Sequence, residues 1–199
     1  MRRKFTLVLV LAFGVIGAFA QSPAPAAKSP KALVQEYWNL ETHGGRLTDQ
    51  GWNKAAGFFL HPGPMPHNKR IVVIPEDSSV DEWTTNGNTA LILVGLGKTV
   101  GTVDSNMAFV RDSSDAIKEG ILFNVVFTDR YWILNEDGKT VKEVSGVPEW
   151  KIDTKGTDTV IWLSLETAIR YVTQIRDEVT NVAIKKNADK TLAILKHYR

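Results

Sequence analysis

Two residues in one apolar run have the chemistry to move a proton. Asp129 and Tyr131 stand two positions apart within Gly120 to Leu134, a long apolar stretch whose β-rich character predicts a strand. On a strand both side chains emerge on one face, about 7 Å apart. There the phenol could hold a substrate oxygen while the carboxylate takes a neighbouring proton. If the odd-numbered face lines a cavity, Asp129 sits in apolar surroundings that raise a carboxyl pKa. If the even face lines it, Arg130 and Trp132 do so instead, which suits an anionic or aromatic ligand. The competing reading places Asp129 and Arg130 at a wet rim, as surface charges that finish a sheet. Enzyme and non-enzyme readings both stay open.

Aromatic residues supply the second group of candidates. The chain has six tryptophans, and Trp38, Trp52, Trp132, Trp150 and Trp162 all fall on apolar faces of predicted elements. Together with Phe59, Phe123 and Phe127, Trp38 and Trp52 could line a cavity for a flat apolar ligand. The alternative is that they simply fill a core.

Other motifs dissolve on inspection. Leu96-Gly97-Lys98-Thr99 contains G-K-T, but Ile92 stands where a phosphate loop needs its first glycine. Val100 stands where a dinucleotide fingerprint needs its third glycine. His43, His61, His67 and His197 show neither H-E-x-x-H nor H-x-H spacing, so no metal site is read. No cofactor is implied. The absence of cysteine excludes disulfides, thiolate metal sites and a thiol nucleophile.

The N-terminus speaks to location. Arg2-Arg3-Lys4, the apolar run from Phe5 to Phe19 and Ala18-Phe19-Ala20 have the layout of a secretory signal peptide over 1–20. The run is short for a membrane span of about 20 residues, so cleavage and no stable membrane insertion are expected. Export without disulfides suits a bacterial periplasm. The full chain carries 24 basic and 22 acidic residues, and loss of the three N-terminal cations leaves 21 against 22. A formal charge of −1 provides no field for nucleic acid, and none is expected as a partner.

These groups must be positioned by the elements between. Residues 21–29 read as a Pro/Ala linker, and 30–199 as one α+β domain. Ser29-Pro30 predicts a helix start; Leu33, Val34, Tyr37, Trp38 and Glu41 follow at helical spacing until Gly44-Gly45. Thr48 starts a second helix with Trp52, Ala55, Ala56 and Phe59 on one stripe. Ile71 to Ile74, Val80 to Thr85 and Asn88 to Val94 read as strands, the last two flanking the hairpin signal Asn86-Gly87. Val147 to Thr154 and Val160 to Leu163 add further strands, with Val141 to Ser145 left to a connection. Ser164 caps a helix whose face carries Leu165, Ala168, Ile169, Val172, Ile175 and Val179. Asn187 is read as the cap of the last helix, with Thr191, Ile194, Leu195 and Tyr198 buried.

Tyr37-Trp38-Asn39-Leu40, Trp52 through Phe59, and Phe127-Thr128-Asp129-Arg130-Tyr131-Trp132 carry a resemblance to the NTF2-like (cystatin-like cone) superfamily. The resemblance implies N-terminal helices packed into a strongly curved antiparallel sheet, with two added C-terminal helices. It implies three kinds of function. The first is a binding domain for a small apolar or amphipathic ligand or a protein partner, without catalysis. The second is an isomerase, dehydratase or hydrolase using a cone carboxylate, and the third a structural module of an envelope complex such as a type IV secretion system. A homodimer through the outer face of the sheet is common among look-alikes.

Overall fold

The computed structural model describes residues 28–65, 69–75, 78–97, 99–111, 120–155 and 160–199. The signal-like segment, most of the linker, His67 and Lys98 lie outside the described residues.

Local chemistry starts the helices where the sequence places them. In α1 (Pro30–Thr42), the Ser29 hydroxyl accepts from the Ala32 amide and Pro30 occupies a first-turn position that needs no N–H donor. Thr48 caps α2 (Asp49–Ala56) by accepting from Gly51 N. Between them, Gly44 takes φ 86°, a left-handed conformation natural to glycine, and Gly45–Leu47 form one 3₁₀ turn.

Among the described residues, nine strands are distributed over two sheets, each containing a parallel pair, rather than over the one antiparallel sheet expected. They are β1 (Phe59–His61), β2 (Arg70–Ile74), β3 (Ser79–Asn86), β4 (Thr89–Gly95), β5 (Gly101–Val103), β6 (Phe109–Arg111), β7 (Ile121–Leu134), β8 (Val141–Lys155) and β9 (Val160–Ser164). The larger sheet has the order β1-β8-β7-β4-β3, with β1 parallel to β8. The smaller has the order β6-β5-β2-β9, with β2 parallel to β9. The β3–β4 turn is Gly87-Asn88, one residue later than the sequence signal, because Asn86 pairs with Thr89. Gly87 at φ 56° followed by a negative φ is the sign pattern of a type II′ turn.

Strand β2 explains the layering. Val72 and Ile74 belong to a core shared with α1 and the larger sheet, while Ile71 and Val73 belong to a second core under the C-terminal helices. The paired strand β9 divides likewise: Trp162 packs toward the first core, Ile161 and Leu163 into the second. A sheet covered on both faces needs continuous apolar strands, and I-V-V-I and V-I-W-L meet that need. Helices α3 (Leu165–Glu178) and α4 (Val182–His197) cover the smaller sheet through Ala168, Val172, Ala188, Leu192 and Leu195.

The last helix begins earlier than the sequence suggests. Asn181, not Asn187, is its cap, accepting from Ala183 and Ile184 amides. Asn187 lies inside the helix and its Nδ2 donates to Asn106 O at 3.1 Å. Thr191 and Leu195 are buried as expected; Ile194 and Tyr198 are exposed, and Leu192 takes the core position instead.

Strands β7 and β8 form one long hairpin that includes Val141 to Ser145. Its pairing breaks where Thr128 opposes Glu149 and Arg130 opposes Ser145, so Gly146, Val147 and Pro148 face Asp129 alone. Such a bulge bends the ladder, and Pro148, which has no N–H, is at home in it. Thr128 Oγ1 bonds both Arg130 N and Arg130 O at 3.0 Å, fixing the kink. Beyond it the tip of the hairpin approaches β1 and α2: the Trp132 and His61 rings are 4.2 Å apart, and Gly138 lies beside Asn53.

Candidate functional site

The aromatic candidates fall mainly in the core. Trp38, Phe59 and Phe123 are buried with Tyr37 and Phe58, the rings meeting edge-on or tilted at centroid distances of 5.0–6.4 Å. Phe127 packs on Trp150 at 5.3 Å. Trp52 is 3 % exposed and its Nε1 donates to Gly63 O at 2.9 Å. The space bounded by Arg46, Trp52, Ala55, Phe59 and Pro62 has no volume for even a water. Thus Tyr37 and Trp38 of α1 pack into the core against Phe59 and Phe123 of the larger sheet.

Asp129 and Tyr131 are held in different surroundings. Asp129 is exposed at the bulge. Tyr131 is half-buried against Lys151, whose Nζ lies 4.2 Å from the ring centroid. That amine also bonds Gly57 O at 2.6 Å and Glu149 Oε1 at 3.0 Å. Burial raises the Tyr131 pKa, and the Glu149 carboxylate adds to the effect by charge and hydrogen bond. Arg130 is exposed and Trp132 half-buried.

A large open space among the described residues lies instead under the hairpin tip. A cleft of about 950 Å³ is bounded by α2, by the loop carrying Pro64 and Met65, and by the β7–β8 turn. The prolines after β1 stop the chain from continuing as regular structure, and they hold Met65 half-exposed on one wall. Trp52 backs that wall, pinned by Gly63 O on one side and by the Arg46 guanidinium 5.4 Å from its ring centroid.

The opposite wall is a turn made rigid by one carboxylate. Asp137 Oδ1 accepts from Lys139 N at 2.9 Å and Thr140 N at 2.8 Å, and Oδ2 accepts from the Thr140 hydroxyl. These bonds, led by those of Thr140, lower the Asp137 pKa to about 2. Glu136 and Lys139 stand beside it on the rim.

No protein-family model, curated protein or solved structure matches this chain.

Lys69 is the charged group set deepest in this cleft that sequence reading missed. Its Nζ donates to Leu47 O at 3.2 Å. Burial lowers its pKa, Asp49 opposes that shift, and the Arg46 charge reinforces it. The cleft therefore joins an apolar wall to a rim carrying both signs of charge. That lining suits an amphipathic molecule. Neither Asp129 nor Tyr131 borders it.

A buried ion pair holds the elements behind the cleft. Glu41 and Arg46 are 0 % and 3 % exposed, and Arg46 Nε and Nη2 donate to the two Glu41 oxygens at 2.6 Å each. Arg46 Nη2 also donates to Val160 O at 2.6 Å, and Glu41 Oε1 accepts from Trp162 N at 2.9 Å. Since β9 is an edge strand, the pair acts as a side-chain substitute for a neighbouring strand. Glu41 stood on the apolar stripe of α1 in the sequence, which was the available signal. Among the described residues, no group of three His, Asp or Glu side chains could hold a metal, and no helix is long and apolar enough to cross a membrane.

Proposed function

We propose that this chain is an exported, NTF2-like domain that binds a small amphipathic ligand without catalysis, and that the ligand lies under the β7–β8 tip. The single observation that carries this reading is the cleft of about 950 Å³ between Pro64-Met65 and the Asp137 turn, with Lys69 set into it. Its size falls within the range of small-molecule sites, roughly 300–1,000 Å³. Packing of Tyr37 and Trp38 of α1 against the larger sheet supports the NTF2-like reading. The separation of Asp129 and Tyr131 from the cleft favours binding over turnover at that pair.

Native mass spectrometry of gently purified protein tests the proposal. A small-molecule adduct is expected, and Met65→Glu, which puts a charge on the half-exposed apolar wall, should remove it. An adduct retained at full occupancy in Met65→Glu would place the ligand elsewhere and sink the proposal.

A further inference from the structure

A second cleft, beside α1, has a different chemistry. It encloses about 490 Å³ between the C-terminal half of α1, the first turns of α3 and the end of β2. Its lining is mostly polar: Gln35, Asn39 and His43 come from the α1 side, Glu166 and Arg170 from α3, and Ser78 closes one end.

The polar atoms of α1 are pre-set by one another. Gln35 Nε2 donates to Asn39 Oδ1 at 3.1 Å, which leaves the Asn39 Nδ2 hydrogens for another acceptor. His43 Nδ1 lies 2.7 Å from Asn39 O, and a carbonyl can only accept, so Nδ1 carries a hydrogen. In the neutral ring Nε2 then presents a lone pair. Ser78 Oγ accepts from Trp38 Nε1 at 2.9 Å and keeps its own hydrogen to donate.

The charges of α3 are set apart. Glu166 and Arg170 are four residues apart on one helix, in the order that favours a salt bridge. Both are exposed and both border the cleft. Among the described residues, neither is within salt-bridge distance of an opposite charge. A carboxylate and a guanidinium facing one small cavity without meeting each other match a ligand that carries both charges itself.

The geometry points to a binding site for a small zwitterion of the α-amino-acid type. Arg170 takes the ligand carboxylate, whose two oxygens fit the guanidinium fork. Glu166 takes the ammonium, and His43 Nε2 supplies a neutral acceptor. Asn39 Nδ2 and the Ser78 hydroxyl add donors for the carboxylate or for a polar side chain. This site shares no residue with the cleft under the hairpin tip, so it stands whether or not that cleft binds an amphipath.

The test is a titration of the ¹⁵N-labelled full chain with L-leucine, L-glutamine and L-arginine, followed by amide and indole shifts. N-acetyl-L-leucine and L-leucinamide serve as controls, each lacking one of the two charges. Saturable shifts at Asn39, His43, Thr167 and the Trp38 indole are expected with at least one zwitterion. The one-charge controls should bind about tenfold more weakly or worse. Arg170→Gln and Glu166→Gln should each weaken binding about tenfold, with melting temperature nearly unchanged because both side chains are exposed. No saturable shift up to about 10 mM of any of the three would overturn the inference. Equal binding of either control, or unchanged affinity in both variants, would overturn it as well.

Discussion

Replacing Arg46 by Ala should be among the most damaging single changes in this protein. The substitution leaves the Glu41 carboxylate fully buried with, among the described residues, only the Trp162 amide donating to it. Breaking a buried pair by removing one partner costs about 3–5 kcal/mol, because the remaining charge is neither paired nor solvated. The cation–π contact with Trp52 at 5.4 Å is lost too, so the upper half of that range is the better estimate. Each kcal/mol lowers the melting temperature of a domain this size by about 2–4 °C, giving a fall of roughly 8–20 °C. Urea unfolding followed by tryptophan fluorescence reads the change as a shift in midpoint at constant slope. Glu41→Leu combined with Arg46→Met removes both charges, leaving mainly the Trp162 N–H without its acceptor at a cost of about 1–3 kcal/mol. The double variant should therefore cost about 2 kcal/mol or more less than the sum of its singles. A single Arg46→Ala loss below about 1 kcal/mol, or strict additivity in the cycle, would refute the view that this pair closes the edge of β9.

Three further predictions follow from local geometry. Leu192→Ala should cost about 2–5 kcal/mol by opening a cavity in the second core, measured by urea unfolding; a negligible loss would mean that α4 is not part of the folding unit. Gly51→Ala would place a Cβ 1.8 Å from Gly45 O, backbone that cannot swing aside, so a loss of about 1–3 kcal/mol or more is expected in a thermal melt. Asp137 has a folded pKa of about 2 against an ordinary value of 3.8, so its stabilisation of the turn is complete above 3.8 and is lost as pH falls through 2. Protection of the Lys139 and Thr140 amides should fade across that window, and Asp137→Asn should abolish the pH dependence.

What the sequence revealed was mostly what neighbouring residues decide among themselves. Ser29, Thr48 and Ser164 announce helix starts because a side-chain oxygen bonding an amide two or three residues on is a local event. Asn181 and Asn187 are equally good caps by type, but the earlier start adds the turn that packs Ile184 on the second core, a long-range contact. Pairing of β2 with β9 joins Ile71 to Ile161 across most of the domain, and no local pattern carries that information. The same holds for the division into two sheets. The short strands β5 and β6 left no readable period at all. At the candidate site, the types of Pro64 and Asp137 signal only an end to regular structure and a turn. Their approach depends on the long β7–β8 hairpin, whose ladder breaks at Asp129 opposite Gly146-Val147-Pro148, a pairing neither strand shows by itself. Trp38 and Trp52 were legible as buried from their apolar stripes, but their long-range partners, Ser78 Oγ and Gly63 O, were not.

The most direct test of the proposed binding mode is a titration of ¹⁵N-labelled full chain with 1-anilinonaphthalene-8-sulfonate, a small amphipathic anion, followed at the tryptophan indole resonances. The Trp52 indole and the amides of Met65, Lys69 and Lys139 should shift saturably with one dissociation constant, while Trp38 stays still. Met65→Glu should weaken that constant about tenfold or more. A saturable shift of Trp38 with Trp52 unmoved, or no saturable binding at all, would contradict a ligand site under the hairpin tip.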